Sequence, residues 1–229
     1  MNFNKHLELN GGHAVFGASQ SAWLRYDDNK MLDKVGNVKM SELGTELHDF
    51  AKSQIDMGLK ARSIKGLTDS LVTYIYRKYY DELKEELPFR AYRLINGIKN
   101  VDRNVLLTLQ QYINDGVGFS MSTEQKLVHD PIYFYGTADA ICYRDDILRI
   151  HDFKSGVTPA KMDQLMIYAA YFCLEYKIKP TSIKLIELRI YQQNDVLYYN
   201  PEPAEIQEIM DKVVHDYKMI NDIYEVVAN

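Results

Sequence analysis

An α/β core behind a helical N-terminal cap is the fold the sequence predicts, and three observations carry it. Up to about residue 114 the apolar residues recur at helical spacing. From 119 to 153 three short segments rich in β-branched and aromatic residues follow one another across turn signals. After Ser155-Gly156 a strongly apolar helical stretch leads into further strand. Helices, then strands, then a helix and strands again read as a mixed sheet covered by helices. With 229 residues, 46% of them hydrophobic and 26% charged, one sizeable core is attainable. A single domain is expected, with 1–115 mainly helical and 116–229 forming the α/β core.

The helical part opens with a short segment near Ser19–Tyr26. Ser41 is the expected N-cap of the first long helix, with Glu42 in its first turn and Leu43, Leu47, Phe50, Gln54 and Met57 recurring along it. A second helix is predicted over Thr68–Glu86, with Leu71, Ile75, Tyr79 and Leu83 on one stripe and Pro88 ending it, because proline has no N–H to continue the ladder. A third, broken helix covers about 89–114 and stops at Asp115-Gly116.

The strands follow as Phe119–Val128, Ile132–Tyr143 and Ile147–Phe153, separated by His129-Asp130-Pro131 and Arg144-Asp145-Asp146. The helix Pro159–Tyr176 has Met162, Leu165, Ala169, Phe172 and Tyr176 as its core stripe. A strand at Ser182–Gln192, another at Asp195–Tyr199 and a C-terminal helix over Pro203–Val227 complete the chain.

Net charge is -5, so a uniformly basic nucleic-acid coat is excluded. The charge is uneven: residues 60–103 carry 10 Lys/Arg against 6 Asp/Glu, and the acidic surplus lies downstream. The two cysteines, Cys142 and Cys173, fit neither a disulfide framework nor a zinc or iron-sulfur site. The start lacks the pattern of a secretory signal, and the apolar run Leu165–Leu174 is about half a membrane span. A cytoplasmic protein without membrane partners is the expectation.

Asp152-Phe153-Lys154 ends an apolar strand, so the carboxylate and the ammonium project from the same face. The chain holds six [D/E]xK triplets, and the ordinary reading of any one is a solvated ion pair. Asp152 differs in its surroundings. Asp139, in Gly136-Thr137-Ala138-Asp139-Ala140, lies on the preceding strand of a hairpin, among small residues that admit close approach. Two neighbouring carboxylates ask for a cation. Lys154 could neutralise one of them, or a hard divalent metal could satisfy both and leave Lys154 free. Glu124 is a third acid one strand earlier, and Gln164 and Tyr168 share a helix face. Taken singly, Glu124 reads as an exposed strand residue and His48 as a partly buried histidine.

The order His48, Glu124, Asp139, Asp152-x-Lys154, Gln164-x-x-x-Tyr168 resembles the PD-(D/E)XK nuclease superfamily, in its RecB-like and phage-exonuclease branch, over about residues 18–176. GTADA, IHDFKSG and QLMIY are similar to that branch's core; Gly44-Thr45-x-x-His48 resembles its histidine-bearing helix and Ser19-x-Ser21-x-Trp23 its opening segment. The four cysteines that hold an iron-sulfur cluster in some relatives are missing, so no such cluster is expected.

The resemblance implies a restriction-endonuclease-like core and a metal-dependent DNA exonuclease acting on linear ends in recombination or repair. A structure-specific or restriction-type endonuclease and a non-catalytic nucleic-acid-binding member are the alternatives. It implies Mg²⁺ or Mn²⁺, two per site, held by Asp139, Asp152, the Phe153 carbonyl, Glu124 and His48. Lys154 would orient or deprotonate water, Gln164 and Tyr168 would position it, and the products would be a 5′-phosphate and a 3′-hydroxyl. DNA is the implied partner, with a single-strand annealing or recombination protein and a homo-oligomeric ring among the arrangements of that branch, in the host cytoplasm if the chain is phage-encoded. Arg90, Arg93, Lys99 and Arg103, in the basic segment, are the candidate phosphate contacts. Tyr74–Tyr80 interleaves aromatic and basic groups, which reads either as a stacking platform or as an amphipathic helix with tyrosines at its core boundary.

Overall fold

The computed structural model describes Met1, Phe3 and residues 18–25, 42–80 and 89–227, leaving aside the side chains at 20, 23, 42, 89–93, 221 and 223–227. A 3₁₀ segment, Ala18–Arg25, is followed by four helices: α1 (Glu42–Asp56), α2 (Ile64–Lys78), α3 (Phe89–Lys99) and α4 (Arg103–Gly118). Then come β1 (Ser122–Asp130), β2 (Phe134–Arg144), β3 (Ile147–Lys154), α5 (Asp163–Tyr176), β4 (Leu185–Gln192), β5 (Asp195–Tyr199) and α6 (Pro203–Val227).

The five strands form one sheet in the order β1-β2-β3-β4-β5. All neighbours are antiparallel except β3 and β4, which run parallel across the α5 crossover. Two tight turns set the hairpin registers. Asp145 and Asp146, with φ of 55° and 57°, join β2 to β3; Gln193 and Asn194, with φ of 52° and 61°, join β4 to β5. Left-handed residues at both central positions match the twist of antiparallel strands.

Helices cover both faces, so the predicted mixed α/β fold with a helical N-terminal part is what the chain adopts. Leu127, Ile150, Leu188, Phe172 and Ile206 belong to the core under α5 and α6. Leu47, Phe50, Leu71, Leu109, Phe153 and Tyr191 belong to the core under α1–α4. Among the described residues no helix is long and apolar enough to cross a membrane.

Several boundaries differ from expectation for local reasons. The second helix starts at Ile64, because the Ser63 hydroxyl accepts the Gly66 N–H as N-cap; Ser41, Glu82, Leu83, Glu86 and Pro88 lie outside the described residues. The broken third helix is two helices, the second capped by Asp102, whose carboxylate accepts the Asn104 N–H. Asp115-Gly116 does not stop it. Gly116 is buried against α1, where a Cβ would lie 2.6 Å from Ile55 Cδ1, so this glycine serves close helix packing and α4 runs on to Gly118. The first strand consequently begins at Ser122 and not at Phe119. The crossover helix begins at Asp163, because residues 155–162 form a loop. The 3₁₀ turn Pro180–Ser182 delays β4 to Leu185.

Overpacking in Gly116→Ala is expected to cost about 1–3 kcal/mol against the ~1 kcal/mol that alanine gains in helix propensity, a net loss of up to about 2 kcal/mol. Adding Ile55→Val should recover part of the loss, a comparison urea denaturation can make.

Candidate functional site

The site forms where β2 and β3 part. Their ladder runs from Arg144↔Ile147 to Ala140↔His151 and stops, whereas β3 continues beside β4 to Lys154↔Gln192. Just past the last rung the Asp139 carboxylate stands in the gap and accepts the Phe153 N–H at 3.0 Å. A side chain therefore replaces a backbone partner, which satisfies a buried donor and fixes the carboxylate.

On the other side of β2, Thr123↔Ala140 and Gln125↔Ala138 are paired, so Glu124 lies in register with Asp139. Glu124 has φ 48°, a left-handed conformation that costs a non-glycine residue about 1–2 kcal/mol. The alternation of β2 also shifts here: Ala138 joins the core under α5 and Ala140 the core under the N-terminal helices. A strained strand residue opposite an aspartate is the arrangement expected where a side chain is re-aimed for a ligand.

α1 brings the third group. His48 Nδ1 lies 3.3 Å from Asp139 Oδ2, and its ring packs edge-on against Phe153 at 5.2 Å. Thr123 donates to Asp56 and accepts from Lys52, which ties the end of α1 to β1. The ligand atoms of His48, Glu124 and Asp139 all lie within 4.8 Å of one another. Two carboxylate oxygens and an imidazole nitrogen in that space suit a divalent cation.

Asp152 stands apart from this trio. It is 1% exposed; Oδ1 accepts from Lys154 Nζ at 3.0 Å, and Oδ2 is buried with no hydrogen-bond partner. Lys154 and Asp152 thus form an ion pair. Lys154 also donates to Gln164 Oε1 at 3.1 Å, and Gln164 Nε2 donates to Tyr168 OH at 3.1 Å, so Asp152, Lys154, Gln164 and Tyr168 form one chain. Gly136 makes room for it: a Cβ there would meet Tyr168 Cε1 at 2.7 Å.

The electrostatics follow from crowding. Burial disfavours the His48 imidazolium, but Asp139, with Asp152 and Glu124, raises it to about 9. Burial and then Asp139 raise Glu124 to about 7, although this residue is the exposed member and solvent screens part of the effect. Burial and Asp139 also push Asp152 upward. Burial opposes ionisation of Asp139 too, yet His48 and Lys154 hold it below the usual range. Burial works against the Lys154 ammonium, but Asp152 and Asp139 outweigh it, so Lys154 stays charged and acts as a donor.

The remaining candidates are scattered. Lys99 and Arg103 are exposed near the α3–α4 junction, Arg90 and Arg93 sit on α3 with side chains outside the described part, and so does that of Trp23. In the tyrosine-rich stretch, Tyr74 packs on Phe50, Tyr79 donates to the buried Glu46, and Lys78 pairs with Glu46 and Asp49. The amphipathic reading holds for those three, while Tyr76 and Tyr80 are exposed. Of the other triplets, Glu175 accepts the Val128 N–H and Asp216 pairs with Lys212; Asp28 and Glu82 lie outside the described residues.

Sequence reasoning missed Tyr112. It packs on Phe153 at 5.7 Å, and burial, then Asp139, Glu124 and Asp152, raise its phenol well above the usual range. In the sequence it is one more apolar position of α4, with nothing to mark it.

Fold and site define an α/β protein with a mixed sheet and a candidate metal centre at the opening between two strands. The chain belongs to the family described as "Protein of unknown function (DUF2800)", whose model matches residues 13–220. Among curated proteins none matches. A solved structure described as "Crystal structure of SSO0001" aligns over 75% of this chain and 86% of its own, at 14% identity and a TM-score of 0.29.

Stability of the metal-free protein is expected to fall as pH rises. The folded pKa values of Glu124, about 7, and His48, about 9, exceed their usual 4.5 and 6.5. Their contributions are therefore full below the unfolded values and lost as pH passes the folded ones. Asp152 acts in the same direction, whereas Asp139 is ionised throughout. In chelator, the melting temperature should drop between about pH 4.5 and 9, and Glu124→Gln should flatten the part of that fall below pH 7.

Proposed function

We propose that this protein is a metal-dependent nuclease of the PD-(D/E)XK type with a restriction-endonuclease-like core, acting on DNA and most suited to digestion from linear ends. One observation carries the reading: the residues of the sequence pattern, spread from 48 to 168, meet at one opening of the sheet as a convergent His48–Glu124–Asp139 group beside the Asp152–Lys154–Gln164–Tyr168 chain. The similarity of GTADA, IHDFKSG and QLMIY to the exonuclease branch supports the choice of linear DNA.

The donor set fits Mg²⁺ or Mn²⁺, with His48 favouring Mn²⁺. Like charges crowd the site and a buried Asp152 oxygen lacks a partner, and both are relieved by a cation. His48, Glu124 and Asp139 would hold it, joined by Asp152 and the Phe153 carbonyl. The bound cation supplies the Lewis acidity that activates water and stabilises the leaving oxygen.

The chain's own residues do the rest. Lys154, paired with Asp152 and Gln164, would orient or deprotonate water and offset transition-state charge. Gln164, anchored by Tyr168, fixes its direction. Asp139 is ionised and anchored by Phe153, which keeps a ligand oxygen in place. Exposed Lys99 and Arg103, with Arg90 and Arg93, supply phosphate contacts from the helical part.

Linear and closed circular DNA incubated with Mn²⁺ or Mg²⁺ test the reading. Linear DNA should be digested and circles spared; cut circles would place the protein among the endonucleases. Asp152→Ala and Lys154→Ala should each lower the rate by roughly 100-fold or more while the protein stays folded. Activity equal to wild type in both would overturn the site. Mn²⁺ affinity should rise from pH 6 to 9, because His48 and Glu124 must release protons to bind it.

A further inference from the structure

Between Lys154 and Gln164 the chain makes a loop whose neck is the site itself. Those two residues hydrogen-bond at 3.1 Å, so residues 155–163 leave and return within the candidate machinery. The loop is not slack. Gln192, the register partner of Lys154 on β4, reaches across with both ends of its amide. Its Oε1 accepts the Ala160 N–H at 3.1 Å, and its Nε2 donates to the carbonyls of Gly156 and Thr158, each at 2.7 Å. One side chain thus satisfies three backbone groups of a segment with no secondary structure of its own. Near the neck, Ser155 abuts α1: a Cβ on Gly44 would lie 3.2 Å from Ser155 Oγ.

Beside the exposed Thr158 and Lys161 the loop displays an apolar side chain. Val157 is 80% exposed, and neighbouring Gly156 faces open space. Holding an aliphatic side chain in water on a braced loop gains nothing for the fold, whereas an apolar side chain on a fixed loop beside a phosphodiester site can press against a base or sugar. We infer that Gln192 is a positioning residue that keeps the 155–162 loop preformed at the rim of the site, and that Val157 is the substrate-contacting residue this loop presents to DNA. The second half rests on the nuclease reading. The first does not.

The exposed Lys161 gives a readout independent of activity. With the full-length protein and no DNA, trypsin cleavage after Lys161 should be at least about tenfold faster in Gln192→Ala than in wild type, because three hydrogen bonds no longer oppose local opening. Gln192→Glu should open the loop as well, since a carboxylate cannot donate to the two carbonyls. An unchanged cleavage rate in both variants would overturn the positioning role.

Kinetics on a linear duplex with Mn²⁺ test the contact. Val157→Ser should raise KM several-fold, leave Mn²⁺ affinity as in wild type and leave the trypsin rate unchanged; Gln192→Ala should raise KM as much or more. An unaltered KM in Val157→Ser would overturn the substrate contact. If wild type cleaves no DNA, the nuclease reading and the contact fall together, while the trypsin comparison still decides whether Gln192 holds the loop.

Discussion

The rest of the site depends on keeping the Asp139 carboxylate ionised in a mostly buried place. It does so by gathering donors: the Phe153 N–H from β3 and His48 from α1, with the Lys154 ammonium adding its charge. The geometry around it follows. The β2–β3 ladder has to end one rung short so that Phe153 can turn its N–H to a side chain, and Glu124 takes a left-handed conformation in the strand position directly across. Once Asp139 is ionised, the other acids carry the burden, and both Glu124 and Asp152 are driven toward their protonated forms.

A second polar network, a few residues away, shows how the chain treats charges that only hold structure. Asp115 at the end of α4 accepts from Tyr191 OH at 2.7 Å and pairs with Arg189, Arg189 pairs with Glu187, and Glu187 pairs with Arg149. Both guanidinium groups lie on the Phe119 ring, at 4.6 and 5.0 Å, and Tyr191 OH meets His151 Nδ1. Here two acids face two arginines, and His151 is kept neutral by burial and those arginines. At the candidate site three acids face one lysine and one histidine. That imbalance, and not burial or the number of polar groups, is what the proposed cation would relieve, whereas the balanced network braces a helix against a sheet.

The brace matters to the site, because Tyr191 and Phe153 are register partners and both pack on Tyr112. The Phe153 N–H that anchors Asp139 therefore sits on a strand fixed from behind by α4. Gln192, next to Tyr191 on β4, reaches into the loop above the site, so β4 supports the region twice without contributing a residue to the acidic group.

How far the sequence could be read depended on whether the information was local. Periodicity and turn chemistry determined the order of helices and strands, the hairpin at Asp145-Asp146 and the buried crossover helix, because each is a pattern within one segment. His48, Glu124, Asp139, Asp152, Lys154, Gln164 and Tyr168 were singled out as an ordered series only through their resemblance to a nuclease pattern, since Glu124 and His48 taken singly read as ordinary residues. Gly116 misled, since a glycine beside an aspartate looks alike at a helix stop and at a helix contact, and only Ile55 on another helix tells them apart. Which groups meet which was decided by the tertiary structure alone: His48 with Glu124 and Asp139, Lys154 with Gln164, and Tyr112, His151 and Gln192 as supports. Those pairings depend on where the sheet splits and how α1 and α4 lie against it, and charge, burial and distance act between segments that the linear order keeps far apart.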